Sequence, residues 1–176
     1  MAIERFSTIN ILVNNAGIHS EKIGHLSTEA NFTQCLDVNL IGVWRMSQAL
    51  VPHFRGNRTG KIINIASING RTPWADTPAY SASKAAVINL TQSLALQLAP
   101  YSINVNAICP GGIITSMAGG FTHDLEAMEQ EMISRRPLKR RLQAVDVGYA
   151  VVFFASDRSR NITGQTLNVD CGVVMS

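Results

Sequence analysis

The sequence predicts an α/β fold built on a doubly wound parallel sheet. Short β-branched runs alternate with stretches of helical periodicity along the whole chain, which is the pattern of right-handed βαβ units. The runs are apolar on both faces, as strands are when helices cover both sides of a parallel sheet. Bulk composition agrees: 46% of the 176 residues are hydrophobic and only 15% are charged, so the core is large. With a mean hydropathy of +0.11 the chain reads as one folded domain over residues 1–176.

The elements follow in order. Ile9 to Val13 is the first strand-like run and is stopped by Asn14-Asn15-Ala16-Gly17. Thr28 to Leu50 has helical spacing, with Phe32, Leu36, Leu40, Val43, Ser47 and Leu50 on one face, and stops near Pro52. Gly60 opens the strand Lys61–Ala66, and a polar loop with Gly70, Pro73 and Pro78 comes next. Ala79 to Leu98 is a second long helix, ended by Pro100. Ile103 to Ile108 is a third strand, stopped by Cys109-Pro110-Gly111-Gly112. Residues 113–143 form an irregular or helical excursion, Ala144–Ala155 a helix and Gln165–Val169 the last strand. In sheets of this class ligands bind beyond the carboxyl ends of the strands. That points to Asn14–Gly17, Ala66–Ser67 and Pro110–Thr115.

Several function classes are disfavoured. No apolar run approaches the roughly 18 residues of a membrane span. The opening Met1-Ala-Ile-Glu-Arg-Phe lacks a basic region followed by an apolar one, so a cytoplasmic protein without a membrane partner is expected. Cys35, Cys109 and Cys171 are odd in number and widely spaced; thiols in a reducing compartment fit them better than a metal site. The net charge of +3 does not call for nucleic acid, and the basic run Arg135–Arg141, without interleaved aromatics, reads as a solvated turn. His19, His25, His53 and His123 are scattered and read as surface or loop residues. Trp44 reads as helix packing and Trp74 as a pocket-lining residue.

Chemistry concentrates in Tyr80-Ser-Ala-Ser-Lys84, at the start of the second long helix. A spacing of four puts phenol and ammonium one turn apart on one face. A cation so close favours phenolate, so Lys84 is expected to lower the Tyr80 pKa from its usual value near ~10 and make it a general acid/base. Ser67 ends the preceding strand, where the loop can return its hydroxyl to the mouth of that helix. Asn39 lies among Leu36, Leu40 and Val43; a buried amide there needs partners, which a relay water or the backbone would supply. Asn14 reads as a structural bond between strands and Cys109 as a buried filler.

Asn14-Asn15-Ala16-Gly17, Asp37-Val38-Asn39-Leu40, Ser67, Tyr80-x-x-x-Lys84 and Pro110-Gly111-Gly112-Ile113-Ile114-Thr115 together resemble the classical short-chain dehydrogenase/reductase family in order and spacing. The resemblance runs through essentially the whole chain, including Ile103–Gly111 and Gly164–Asp170. It implies a Rossmann-like fold, NAD or NADP as cofactor, and interconversion of a secondary alcohol and a ketone of sugar, polyol or 3-oxoacyl type. By the same resemblance Asn39, Ser67, Tyr80 and Lys84 would be the catalytic residues, with Asn39 anchoring a relay water and Lys84 also holding the nicotinamide ribose. Asn15, Ala16 and Gly17 would lie along the cofactor, and Gly111, Ile113 and Thr115 would hold its carboxamide and phosphates. Segment 116–136, hinged at Gly119-Gly120, would cover the substrate, an alcohol or ketone of small size.

One departure bears on this. The family's glycine-rich turn after a first strand is missing, so the chain is expected to be the C-terminal portion of the fold, with three strands absent and Ile9–Val13 as an apolar edge. A homo-oligomer, dimer or tetramer, is implied through the helices at 28–51 and 79–99. The alternative reading is a catalytically silent, self-associating module of the same descent.

Overall fold

Four parallel strands carry the fold: β1 (Ile11–Asn14), β2 (Gly60–Ile65), β3 (Ile103–Pro110) and β4 (Thr166–Val169), adjacent in that order. The computed structural model describes residues 2–19, 27–117 and 124–175. Every connection between neighbours returns the chain to the same end of the sheet, so the carboxyl ends align, with Asn14 opposite Asn64 and Asn64 opposite Ala107. Helices α1 (Ala2–Phe6), α2 (Glu29–Leu36), α3 (Gly42–Asn57), α4 (Pro78–Leu98), α5 (Leu125–Arg135) and α6 (Ala144–Ala155) supply the other layers.

Period-two alternation in the strands divides the core between two faces. Ile62 on β2 and Ile103 and Val105 on β3 pack with Phe54 of α3 and Leu94 and Leu98 of α4. Ile63 and Ile108 turn the other way and meet Phe154 of α6. Both faces are therefore covered, as the apolar strands predict. β1 is the exposed edge: Ile11 and Val13 are 44% and 40% exposed, while Leu12 and Asn14 point inward.

Local chemistry explains the helix ends. Thr28 caps α2 by accepting from the Asn31 amide at 3.2 Å. Gln143 and Asp146 form a reciprocal capping box at α6, and Pro78 opens α4 in its first turn, where its missing N–H costs nothing.

The long helix beginning at Thr28 is not continuous. A π turn over Asp37–Ile41 separates α2 from α3 and widens the stride to four residues, so Cys35, Asn39, Val43 and Ser47 form the buried stripe. The predicted face is therefore right from Val43 onward but displaced before it, where Phe32 is exposed and Leu36 and Leu40 are only half-buried. Nor does α3 stop at Pro52; that ring sits on the exposed side, while Val51 and fully buried Phe54 hold the final turns to the left-handed Arg58. β3 continues through Pro110, which pairs with Val169. The excursion after β3 contains α5.

The basic run is also more structured than a solvated turn. Arg136 is buried and donates to the carbonyls of Gly112 (2.6 Å) and Arg140 (2.7 Å), fixing the chain beyond β3. Cys171 takes a left-handed backbone (φ 60°), so the turn after Asp170 keeps the shape a glycine would suit.

Asn14 is structural, as its place between strands predicts: its Nδ2 donates to Asn64 Oδ1 at 2.8 Å across β1 and β2. Asn64 in turn donates to Thr91 Oγ1 of α4 at 2.9 Å, so a polar chain crosses the core fully bonded.

The turn Ile68–Gly70 packs directly onto α4. A Cβ at Gly70 would lie 2.7 Å from the Lys84 carbonyl carbon and 2.8 Å from the Ala85 nitrogen, both backbone atoms. Gly70→Ala is therefore expected to force this turn off the helix and cost about 1–3 kcal/mol of stability, read as a lower midpoint in urea.

Candidate active site

A cavity of about 280 Å³ opens at the carboxyl ends of β1, β2 and β3. Four segments bring side chains to it. The loop after β1 brings Asn15, Gly17 and His19; the end of β2 brings Ser67; α4 brings Tyr80 and Lys84; and the segment after β3 brings Gly111, Ile113 and Thr115. Of the residues singled out in the sequence, Ala16 and Asn39 do not line the cavity.

Asn39 stands behind it instead. The π turn directs its amide inward, fully buried, where Oδ1 accepts from Ile18 N at 2.8 Å and Nδ2 donates to Ile18 O at 2.9 Å. The same Nδ2 lies 3.1 Å from Ser83 Oγ of α4 and 3.2 Å from Cys35 Sγ. Its side chain is thus engaged by protein groups and clamps the β1 loop from behind the cavity.

Ser67 has extended backbone, and its Oγ accepts from Asn69 N at 3.1 Å while its carbonyl accepts from Gly70 N at 3.0 Å. Ser67 and Tyr80 line the same cavity. Lys84 Nζ donates to the Ile65 carbonyl at 2.8 Å and lies 5.6 Å from the centre of the Tyr80 ring.

The electrostatics differ from the sequence expectation. Burial pushes the Tyr80 phenol above its usual pKa; its bond with Ser67 pulls the other way, and the nearby Cys35 and Cys109 thiols add a smaller rise. Burial also lowers the Lys84 amine to about 8. In net, burial outweighs any lowering of the phenol by the ammonium, because both groups are desolvated and the amine is also engaged by a carbonyl. Cys109 is fully buried and its thiol is held high by burial, in keeping with a filler.

Two groups of lining residues escape the sequence reading. His19, taken there for a loop residue, stacks on Tyr80 with ring centroids 5.0 Å apart and planes tilted by 31°. Its position two residues after Gly17, at a strand's carboxyl end, was the available signal. Met117, Met128 and Met132 form the far wall with half-exposed Trp74, the one pocket tryptophan expected. Gly119-Gly120, His25 and His123 lie outside the described residues. Among the described residues no group of His, Cys, Asp or Glu could hold a metal ion, and no helix is long and apolar enough to cross a membrane.

A family model described as enoyl-(acyl carrier protein) reductase matches residues 1–174. The 3-oxoacyl-(acyl-carrier-protein) reductase FabG of Staphylococcus epidermidis is 37% identical over 173 residues, 98% of this chain and 70% of that protein. The chain belongs to the short-chain dehydrogenase/reductase family. The 4-formylbenzenesulfonate dehydrogenase TsaC1/TsaC2 of Comamonas testosteroni is 39% identical over 97% of this chain and 69% of its own length. Among solved structures, ElxO with NADP bound superposes with a TM-score of 0.89 at 28% identity, covering 98% of this chain and 70% of that one. A 3-oxoacyl-(acyl-carrier protein) reductase from Brucella melitensis gives 0.88 at 34% identity, covering 99% and 67%. The four-stranded parallel sheet is thus the Rossmann-like fold of this family of NAD(P)-dependent oxidoreductases, whose chemistry is the exchange of CH–OH and carbonyl groups.

The residues present in this dehydrogenase/reductase site fit a nicotinamide. A Cβ on Gly17 would lie 3.3 Å from Asn39 Oδ1 and 3.4 Å from Lys84 Nζ, so only glycine leaves that cradle open beside the amine. On the opposite side a Cβ on Gly111 would strike Asp170 at 2.9 Å.

The burial of Lys84 has a measurable consequence. Its folded pKa of about 8 lies below the ordinary 10.5, so between these values the unfolded chain binds more protons and stability rises with pH. Below pH 8 the cost of the buried ammonium is present in full. Lys84→Met is expected to flatten the stability curve over this window and to gain up to about 3 kcal/mol at neutral pH, checked by urea unfolding across the pH range.

Proposed function

We propose that the chain, as one domain over residues 1–176, is an NAD(P)-dependent oxidoreductase that interconverts a carbonyl and a secondary alcohol through Tyr80, Ser67 and Lys84. The observation that carries this reading is the meeting of these three side chains in one cavity at the carboxyl ends of the strands. When bound, the nicotinamide supplies or accepts the hydride. Gly17 and Asn15 would border it on the β1 side, Ile113 and Thr115 on the β3 side, and Lys84 would reach its ribose.

In the reduction direction Tyr80 gives its proton to the substrate oxygen. Its raised pKa keeps the phenol protonated at neutral pH, ready to donate; oxidation needs the phenolate as base and is therefore faster in alkaline solution. Ser67 shares that oxygen as a second hydrogen-bond partner and fixes its position against the phenol. Lys84, close behind, offsets the negative charge left on Tyr80 after transfer. Asn39 acts at one remove, by holding the Ile18 backbone and with it Gly17 and His19.

Tyr80→Phe removes the titratable oxygen and little else. Turnover, followed by nicotinamide absorbance, is expected to fall by about 10²–10⁴ with an unchanged circular dichroism spectrum. Turnover at the parent rate would exclude Tyr80 as the acid/base.

The reading includes a cytoplasmic location, which an odd number of widely spaced cysteines suits. It also includes a homo-oligomer. Apolar side chains on α6, among them Tyr149 at 68% and Val152 at 66% exposure, continue into Leu167 of β4 and support self-association through that face. Sedimentation is expected to give a dimer or tetramer that Val152→Glu weakens; a parent chain monomeric at micromolar concentration would overturn this part.

A further inference from the structure

The cavity has two walls of different chemistry. The polar wall is the one already described. The other is made by Ile68, Trp74, Ile113, Met117, Met128 and Met132. Met128 and Met132 are four residues apart on α5 and so share one face of that helix. Gly112 lets this face come close: the Met132 sulfur lies 2.9 Å from the place a Cβ on Gly112 would take.

Several charged groups of α5 and the turn after it are committed elsewhere. Glu129 is bonded to Arg141 at 2.7 Å and Glu131 to Arg135 at 2.5 Å. Arg136 is spent on the carbonyls of Gly112 and Arg140, and Lys139 on Ser134 O. Among the described residues the wall thus offers sulfur, indole and aliphatic carbon, and no charged side chain lines it. Unbranched methionines adapt to different apolar shapes, and thioethers pack well on aromatic rings. A polyol, sugar or anion lodged here would leave its hydroxyls or charge without partners, a cost that apolar contact does not offset.

We infer that the substrate is a ketone or secondary alcohol whose carbon skeleton is uncharged and apolar, an aryl or alkyl group seated between Trp74 and the methionines of α5. This deepens the oxidoreductase reading and rests on it for the position of the reacting oxygen. It excludes the sugar and polyol classes from the substrates that the sequence left open.

The test reads binding apart from turnover. The chain has two tryptophans, so Trp44→Phe leaves Trp74 as the sole indole emitter. This variant is titrated without cofactor against 4-phenyl-2-butanone and, separately, fructose, following Trp74 emission. Saturable quenching by the aryl ketone, no response to fructose, and at least tenfold weaker ketone binding on adding Met132→Lys are the expected results. Met128→Lys, half-buried on the same helix face, serves if Met132→Lys does not fold. Fructose binding more tightly than the ketone, a linear quench unchanged by the lysine variants, or no response to either ligand overturns the inference. Turnover of both ligands with NADH and NADPH separates the two claims. Ketone binding without any turnover counts against the oxidoreductase reading alone, and turnover of fructose without ketone binding counts against the substrate class alone.

Discussion

The amide of Asn39 is the interaction on which the site depends. It reaches the core only because the π turn at Asp37–Ile41 changes the helical stride, and once there it bonds both polar atoms of the Ile18 backbone and Ser83 of α4. A buried amide deprived of such partners costs about 1–3 kcal/mol per group, so this side chain locks the segments it touches. Ser83 in turn donates to the Tyr80 carbonyl at 2.7 Å. One side chain thereby sets the β1 loop against the first turns of α4, and Gly17 and His19 against Lys84 and Tyr80.

The sheet supplies the complementary constraint. Parallel strands joined by right-handed crossovers must finish at the same end, and here the finish is pinned by the bonded chain Asn14–Asn64–Thr91. Ser67 leaves β2 just beyond that level, and the turn through Gly70 settles it on the backbone of α4. The cost falls on Lys84, whose amine is buried against the Ile65 carbonyl at the expense of charge solvation. An ammonium desolvated in this way lowers stability at neutral pH.

Chemistry and specificity come from separate parts of the chain. Ser67, Tyr80 and Lys84, the groups proposed to handle the proton, lie at a sheet end and on α4. The apolar wall comes largely from the excursion between β3 and α6, which is anchored by buried Arg136 and Leu142. A division of this kind lets the wall vary without disturbing Tyr80, Ser67 and Lys84.

Much of the architecture was legible in the sequence. The alternation of periodicities located all four strands and the helices α4 and α6, because hydrophobic spacing is written in neighbouring residues. The four-residue interval placed Tyr80 and Lys84 on one helix face, and the strand-end position of Ser67 brought it to the same mouth. Where the reading went astray, the deciding partner was distant. The π turn displaced the buried stripe before Val43, and the stride it needs is set by packing of Asn39 against Ile18 and α4. The direction of the Tyr80 pKa shift depends on how much water the fold removes from phenol and amine together, which no spacing records. The stacking of His19 on Tyr80 joins residues sixty-one positions apart. The sequence by itself determined the fold class, the succession of strands and helices along the chain and the placing of Tyr80 and Lys84 on one helix face, since those follow from local pattern. Only the tertiary structure decided their solvation, the bonds of Asn39 and the apolar far wall, since burial and contact are properties of groups that the folded chain alone brings together.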